Sequence, residues 1–506
     1  MATLTGEANR WLFRLGRLRR KLFRHGLARH GAAGLAAAAT AAIGQFAIVL
    51  VVTRTLEPRA AGAFFTATTA CLMLAGVVRL DTGNGLVHAL AGSRTRTTRN
   101  AGSPGPERRV LAGAPRQRTP PPAASPGSAR GVSAGAPHRR IPSAASAGMV
   151  RGVLAPVAAL ACVAAAGVWL AAGPLAGLTG VSPGVWTVLA AALPFVVLSD
   201  VLVCATRGLG TMRPTLLISG AVQPLGQLAL VTAAVLAGAP PAALAAAWAL
   251  PSVACAVLAA ARLRGLAPYD VEDVRAFWRH TAPRSVAAAV QSVFQRLDVV
   301  VVALLAGPAA AAVYTAATRF KVVGQLAGQG LAQAAQARLV RALAEGDLGT
   351  AGRVYRTTTR WLVGLTWPLW LGYAALAPWA LSLFGPAYAG GVAIALVLSA
   401  TMMVATACGM VDVVLVAAGR TTASLANVSA AVAVTIVLDV LLVPAHGALG
   451  AALGWSGGVL VKNLLPAVQV HRRYGLRPFG VGRLTDRPLA AGCLVGNTRG
   501  AGRAAS

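Results

Sequence analysis

From Ala32 to Val470 the chain alternates long apolar runs with polar interruptions, all but one of them short. Most runs reach the about 20 apolar residues that a helix needs to cross a bilayer. After a first span over Ala32–Val52, the pattern predicts spans at roughly 60–91, 152–172, 185–206, 215–237, 241–262, 282–305, 309–335, 359–384, 389–417, 422–443 and 448–470, about twelve in all. The expected fold is all-α: a polytopic membrane protein of about 12 transmembrane helices in two pseudo-repeated six-helix bundles.

The stretch Thr281–Gln336 departs from uniform apolarity in an ordered way. It reads as a hairpin that turns at Pro308. On its first arm Gln291, Gln295 and Asp298 share one helix face, and on its second Lys321, Gln325, Gln329 and Gln333 recur every four residues. Polar stripes on lipid-length helices do not face lipid; they imply a hydrated cavity between helices. Val51–Thr69 aligns without a gap on Val301–Arg319, pairing Pro58 with Pro308 and Phe64 with Tyr314. Each copy opens a run of about six hydrophobic segments, the pattern of two related halves with a site between them.

Composition fixes the class. The 506 residues are 56% hydrophobic and 12% charged, with a mean hydropathy of +0.65. The net charge of +32 would suit nucleic acid, but the arginines lie between apolar spans rather than in one patch. Alternate connections separate by charge. One set carries Arg207, Arg262, Arg264, Arg275, Arg279, Arg338, Arg341, Arg353, Arg356, Arg420, Arg472 and Arg473. The other, near 173–184, 238–241, 306–308, 385–388 and 444–447, has no Arg or Lys, and the exception is the first outer turn with Glu57 and Arg59. The positive-inside rule therefore places both termini in the cytoplasm of a plasma-membrane protein. Only three lysines occur, Lys21, Lys321 and Lys462. The six cysteines have neither metal nor disulfide spacing.

The flanks read differently. Residues 1–30 form a basic amphipathic helix for the cytoplasmic surface, with Trp11, Leu15, Leu18 and Leu22 on one face. The first bundle covers 31–262, a cytoplasmic linker 263–281, the second bundle 282–475 and a cytoplasmic tail 476–506. Within the first bundle, 94–148 is rich in Arg, Pro, Ser and Gly without periodicity. It reads as a disordered loop or as an out-of-frame stretch, and the abrupt return of an apolar span at Val150 favours the second.

Several groups carry candidate chemistry. Arg79, Arg296, Arg319 and Lys321 are cations within or at the ends of spans, where charge marks a pathway or an ion pair. Arg296 and Asp298 are two apart and cannot face each other, so one needs a partner on another helix. Arg319 and Lys321 are likewise two apart, and Lys321 continues the Gln325–Gln329 stripe. Arg54 either belongs to the pathway or snorkels to the outer surface. Asp81-Thr82-Gly83 looks like half of an aspartic-protease site, but no second triplet supplies the other carboxylate. It reads as a polar break in the second span. Asp200 with Arg207, Asp412 and Asp439 read as structural, and Gly450, Gly454 and Gly458 as a close-packing stripe.

The pieces TRTLEPRAAGAFF, RLDTGNGLVHALA, RGLGTMRPT, RLDVVVVALLAGPAAAAVYTAATRF, LFGPAYAGGVAIALVLSA and VPAHGALGAALG follow one another in an order that resembles the polysaccharide flippases of the multidrug/oligosaccharidyl-lipid/polysaccharide exporter superfamily. The resemblance covers about 30–93 and 150–475, departs at Leu56-Glu57-Pro58, where the family usually has Gly before Pro, and lacks the two final spans of some members. It implies a transporter of a lipid-linked saccharide, not an enzyme, with no cofactor. Its substrate-binding candidates are Arg79, Gln291, Gln295, Arg296, Asp298, Arg319, Lys321, Gln325 and Gln329; its expected partners are the substrate, membrane lipid and a coupling cation. A drug exporter of the same superfamily would favour an acidic, aromatic cavity, whereas these mid-membrane charges are mostly positive. A membrane glycosyltransferase or polymerase would need acidic groups at the surface, which the short outer turns lack.

Overall fold

The computed structural model describes residues 27–83, 85–87, 145–208, 213–263 and 271–479, and these contain helices and turns without a strand. The N-terminal half holds α1 (Leu27–Thr55), α2 (Pro58–Val78), α3 (Ala145–Leu170), α4 (Ala172–Thr179) and α5 (Pro183–Gly208). It continues through α6 (Arg213–Leu217), a π-helical turn (Ile218–Val222), α7 (Gln223–Leu236) and α8 (Pro241–Leu263). The C-terminal half holds α9 (Val271–Thr318), α10 (Lys321–Ala344), α11 (Leu348–Ser382), α12 (Val392–Ala407), α13 (Val411–Ala417) and α14 (Thr421–Tyr474). The readings of 1–26, of 94–144 and of 480–506 lie outside the described residues. Residues 145–148 lie in α3, and residues 271–281 are helical and continuous with α9.

Among the described residues, 8 helices are long and apolar enough to cross a membrane. The difference from about twelve expected spans has a physical origin. Two helices bend into two arms each: α9 at Gly307 (φ 84°) and α14 at Gly447 (φ 55°). A positive φ is open to glycine and costly for other residues, so each apolar run reverses there without a polar loop. The first span is represented by the shorter apolar stretch Ala39–Thr55. The apolar surface of α10 and α11 is diluted by Lys321, the glutamines and the arginines at 353, 356 and 360.

Packing follows the two halves. In the first, α5 lies between α3 and α8, and α1 lies along α7; in the second, α14 packs on α9, α12 and α13. The broadest contact joins the halves, α2 against α9. Ser285 Oγ donates to the Leu80 carbonyl at 2.6 Å, Ser292 Oγ to the Met73 carbonyl at 3.4 Å, and Arg284 pairs with Asp81 at 3.4 Å. Leu80 and Asp81 have φ of 51° and 47°. The Asp-Thr-Gly stretch is therefore a break where α2 ends. Asp347 caps α11 by accepting the Thr350 N–H at 2.8 Å, and that bonding holds its carboxyl below the usual range.

Candidate functional site

Asp298 lies mid-way along the first arm of α9 and is 2% exposed. Burial of a carboxylate is tolerated only with donors and a countercharge. Its Oδ2 accepts the Tyr314 hydroxyl at 2.7 Å from the returning arm and lies 3.4 Å from Lys321 Nζ at the start of α10, while Oδ1 accepts the Val299 N–H at 2.9 Å. Tyr314 is fully buried and the Lys321 side chain is 14% exposed. The ammonium also sits over the Trp455 ring, 4.4 Å from its centroid, where the ring face attracts a cation. The turn at Gly307 brings Asp298 and Tyr314, sixteen residues apart in sequence, into contact.

A second carboxylate lies beside this cluster. Asp439 on α14 is completely buried, and neither of its oxygens finds a hydrogen-bond partner among the described residues. The same holds for the hydroxyls of Thr435 and Ser456. Gly454, on the second arm of α14, lies so close that an added Cβ would fall 1.9 Å from Asp439 Oδ1. Asp439 lies within electrostatic range of Asp298 and Tyr314. Among the described residues there is no group of three or more His, Cys, Asp or Glu that would hold a metal ion.

The remaining cations gather around the seam between the halves. Arg79 Nη1, at the end of α2, lies 3.2 Å from Asp200 Oδ2 on α5. Arg296, half-buried on α9, lies within electrostatic range of Asp200, Arg79 and Asp298. Asp298 thus takes its partners from its own half, and Arg296 faces the acid of the other. Arg319 is partly buried, and its Nε finds no hydrogen-bond partner among the described residues. Gln291 accepts from Lys462 Nζ at 3.4 Å, and Gln295 is exposed. The side chains of Gln325 and Gln329 lie outside the described residues. Arg54 does not extend to the surface alone: its Nε donates to the Leu383 carbonyl and its Nη2 to the Ser382 carbonyl, at 3.2 Å for the latter.

The structure adds Asp439, Asp200 and Lys462 to the neighbourhood of the candidate residues, where the sequence reads the two acids as structural. Lys462 sits over the Phe294 ring at 5.1 Å, one turn from Gln291. A lysine in a chain with only three was the available signal.

The fold has counterparts among known proteins. Residues 283–444 match the MatE family model. An inward-facing multidrug resistance MATE family transporter of the MOP superfamily superposes with a TM-score of 0.62 at 16% identity, covering 86% of this chain and 94% of that one. The chain has a MATE-like transporter fold. The lipid II flippase MurJ, in an inward closed conformation, superposes with a TM-score of 0.63 at 12% identity, covering 87% of each chain. A MOP-superfamily transporter from Pyrococcus furiosus, described as having a binding pocket of reverse polarity, gives 0.54 at 14% identity, covering 88% of this chain and 95% of that one. No curated protein matches in sequence. Its apolar helices make this a multi-pass membrane protein, and its resemblance to both exporters and a flippase is one of fold.

Proposed function

We propose that this transporter is a flippase that moves a polyprenyl-pyrophosphate-linked saccharide from the cytoplasmic to the outer leaflet of the cell membrane by alternating access, in cell-surface polysaccharide biosynthesis. The observation that carries the reading is a set of neighbouring interior cations: Arg79 beside Asp200, Arg296 within electrostatic range of both across the seam, and Arg319 and Lys321 within range of Asp298. A pyrophosphate must leave the headgroup region on its way across, and an unpaired anion in the protein interior costs several kcal/mol. Cations at the seam offset that cost, with the sugar in the hydrated space and the polyprenyl chain in lipid. Lys321 is the pivotal group because its ammonium is already held at Asp298 and leaves that partner when an anion with more charge arrives. We further assign the Asp298–Asp439 pair to a coupling cation, since Asp439 is buried beside Asp298 with no donor of its own among the described residues.

The test is translocation of a lipid-linked oligosaccharide in proteoliposomes. Lys321→Gln is expected to abolish it while insertion persists, and Lys321→Arg to retain part, because charge matters more than fork geometry for a passing phosphate. Lys321→Gln leaves Asp298 without its cation, a loss of about 3–5 kcal/mol for a buried pair. The double variant Lys321→Gln with Asp298→Asn removes both charges and so separates instability from lost transport. Normal transport in the double variant overturns the cationic-seam mechanism.

A second reading rests on a different observation. Phe46 lies 5.4 Å from Phe320 and 5.5 Å from Phe384, and Phe320 stacks on Tyr373 at 4.5 Å. A cluster of aromatic rings suits an organic cation, the cargo of a drug exporter. Efflux of a lipophilic cation that survives Lys321→Gln but fails in Asp298→Asn would favour this second reading.

A further inference from the structure

The pair Arg79–Asp200 differs from Lys321–Asp298 in a way that bears on substrate exchange. Both join a basic and an acidic side chain within 3.4 Å, but Lys321 and Asp298 are 14% and 2% exposed whereas Arg79 and Asp200 are 41% and 44% exposed. The first is a dry, internal pair. The second is partly accessible, so its partners exchange more readily than those of the internal pair. Asp200 also faces more than one cation. Arg79 holds it directly, and Arg296 and Arg207 both lie within electrostatic range of it. Arg79 and Arg296 are close enough to repel each other, and they come from opposite halves of the molecule, on α2 and α9. Asp200 thus supplies one negative charge to a cluster of three arginines that spans the seam.

We propose that Asp200 is a resident counter-anion: it occupies Arg79 and Arg296 while the site is empty, and a phosphate group of the substrate displaces it. This deepens the reading given above and rests on it. A lone carboxylate balances one arginine. A pyrophosphate carries more charge and enough acceptor oxygens to engage two guanidinium forks at once. The exchange therefore favours a doubly charged anion over a singly charged one, which makes Asp200 a specificity-determining residue. It also keeps the arginines oriented between turnovers, since Arg79 and Arg296 without an intervening anion would move apart.

The experiment is calorimetric titration of the purified full-length protein with inorganic pyrophosphate, and with inorganic phosphate in parallel. Removing the internal competitor in Asp200→Asn is expected to tighten pyrophosphate about tenfold. It should also narrow the preference for pyrophosphate over phosphate, while Asp200→Glu stays near wild type. Adding Arg79→Gln to Asp200→Asn should abolish the gain. A merely structural salt bridge gives the opposite sign: Asp200→Asn would then lower the unfolding temperature and weaken binding or leave it unchanged. If wild type binds pyrophosphate and Asp200→Asn binds it no more tightly, the counter-anion role falls while the cationic seam stands. If neither binds, both fall together.

Discussion

A carboxylate with no donor for either oxygen is an expensive thing to keep in a protein interior, and Asp439 is one. The surrounding packing does not relieve it: Gly454 and Gly458 leave just enough room for the Asp439 carboxyl and the Thr435 hydroxyl and offer neither a side-chain donor. Asparagine has the same shape without the charge. Asp439→Asn is therefore expected to leave the unfolding temperature unchanged or raise it, while transport loses its response to a cation gradient across the vesicle membrane. A variant that melts lower yet keeps that response would assign Asp439 to packing alone. The sequence gives no hint of this residue's isolation. Asp439 follows an apolar run as any helix-end acid does, and its setting is created by the fold-back of α14 at Gly447. Asp298 and Lys321 were more legible, because Asp298 shares a face with Gln291 at a helical spacing and Lys321 begins a stripe of its own. Which cation would reach Asp298 was not, since i, i+2 spacing excludes Arg296 and only the turn at Gly307 selects Lys321.

At the level of elements, the end of α1 is tied to the end of α11. Arg54, at the last turn of α1, donates to the carbonyls of Ser382 and Leu383, the C-terminal groups of α11 that have no partner within the helix. A cation there also complements the partial negative charge of the helix end. Phe46, on the same helix, adds contacts to Phe320 and Phe384. Together they clamp the two halves at this end, and alternating access requires the clamp to open. In a protein carrying spin labels at Arg59→Cys and Ala389→Cys, Arg54→Gln is expected to add a longer-distance population. An unchanged distance distribution would leave the clamp without a conformational role. The helices themselves were readable from apolar run length, but the clamp was not: an arginine ending a span predicts only that its charge leaves the lipid, not which helix terminus receives it.

The whole molecule sorts its turns by charge as the sequence pattern does. Arg54 reaches Leu383, beside the turn at 385–388, and an added Cβ on Gly180 would lie 3.2 Å from the Pro308 side chain, so the connections at 173–184, 306–308 and 385–388 gather at one end. Those are the connections without Arg or Lys. Elsewhere Leu476 packs with Leu339, Leu343 and Tyr355, which brings Arg338, Arg341, Arg353, Arg356 and Arg473 into one neighbourhood. The positive-inside rule leads us to expect the basic end of such a membrane protein to face the cytoplasm. Reporter fusions should follow. Fusion after Leu175 or Gly385 is expected to report the outer side, and fusion after Arg264 or Arg341 the cytoplasm. The Leu175 fusion is the most discriminating, because α4 is a helix of only 8 residues between α3 and α5 and cannot cross a bilayer itself. A cytoplasmic signal there would reverse α3 against α5 and with them the direction in which the seam between the halves opens. The flippase reading depends on that direction: a lipid-linked saccharide assembled on the cytoplasmic face must meet Arg79, Asp200 and Arg296 from the basic end, and leave past Arg54 at the other.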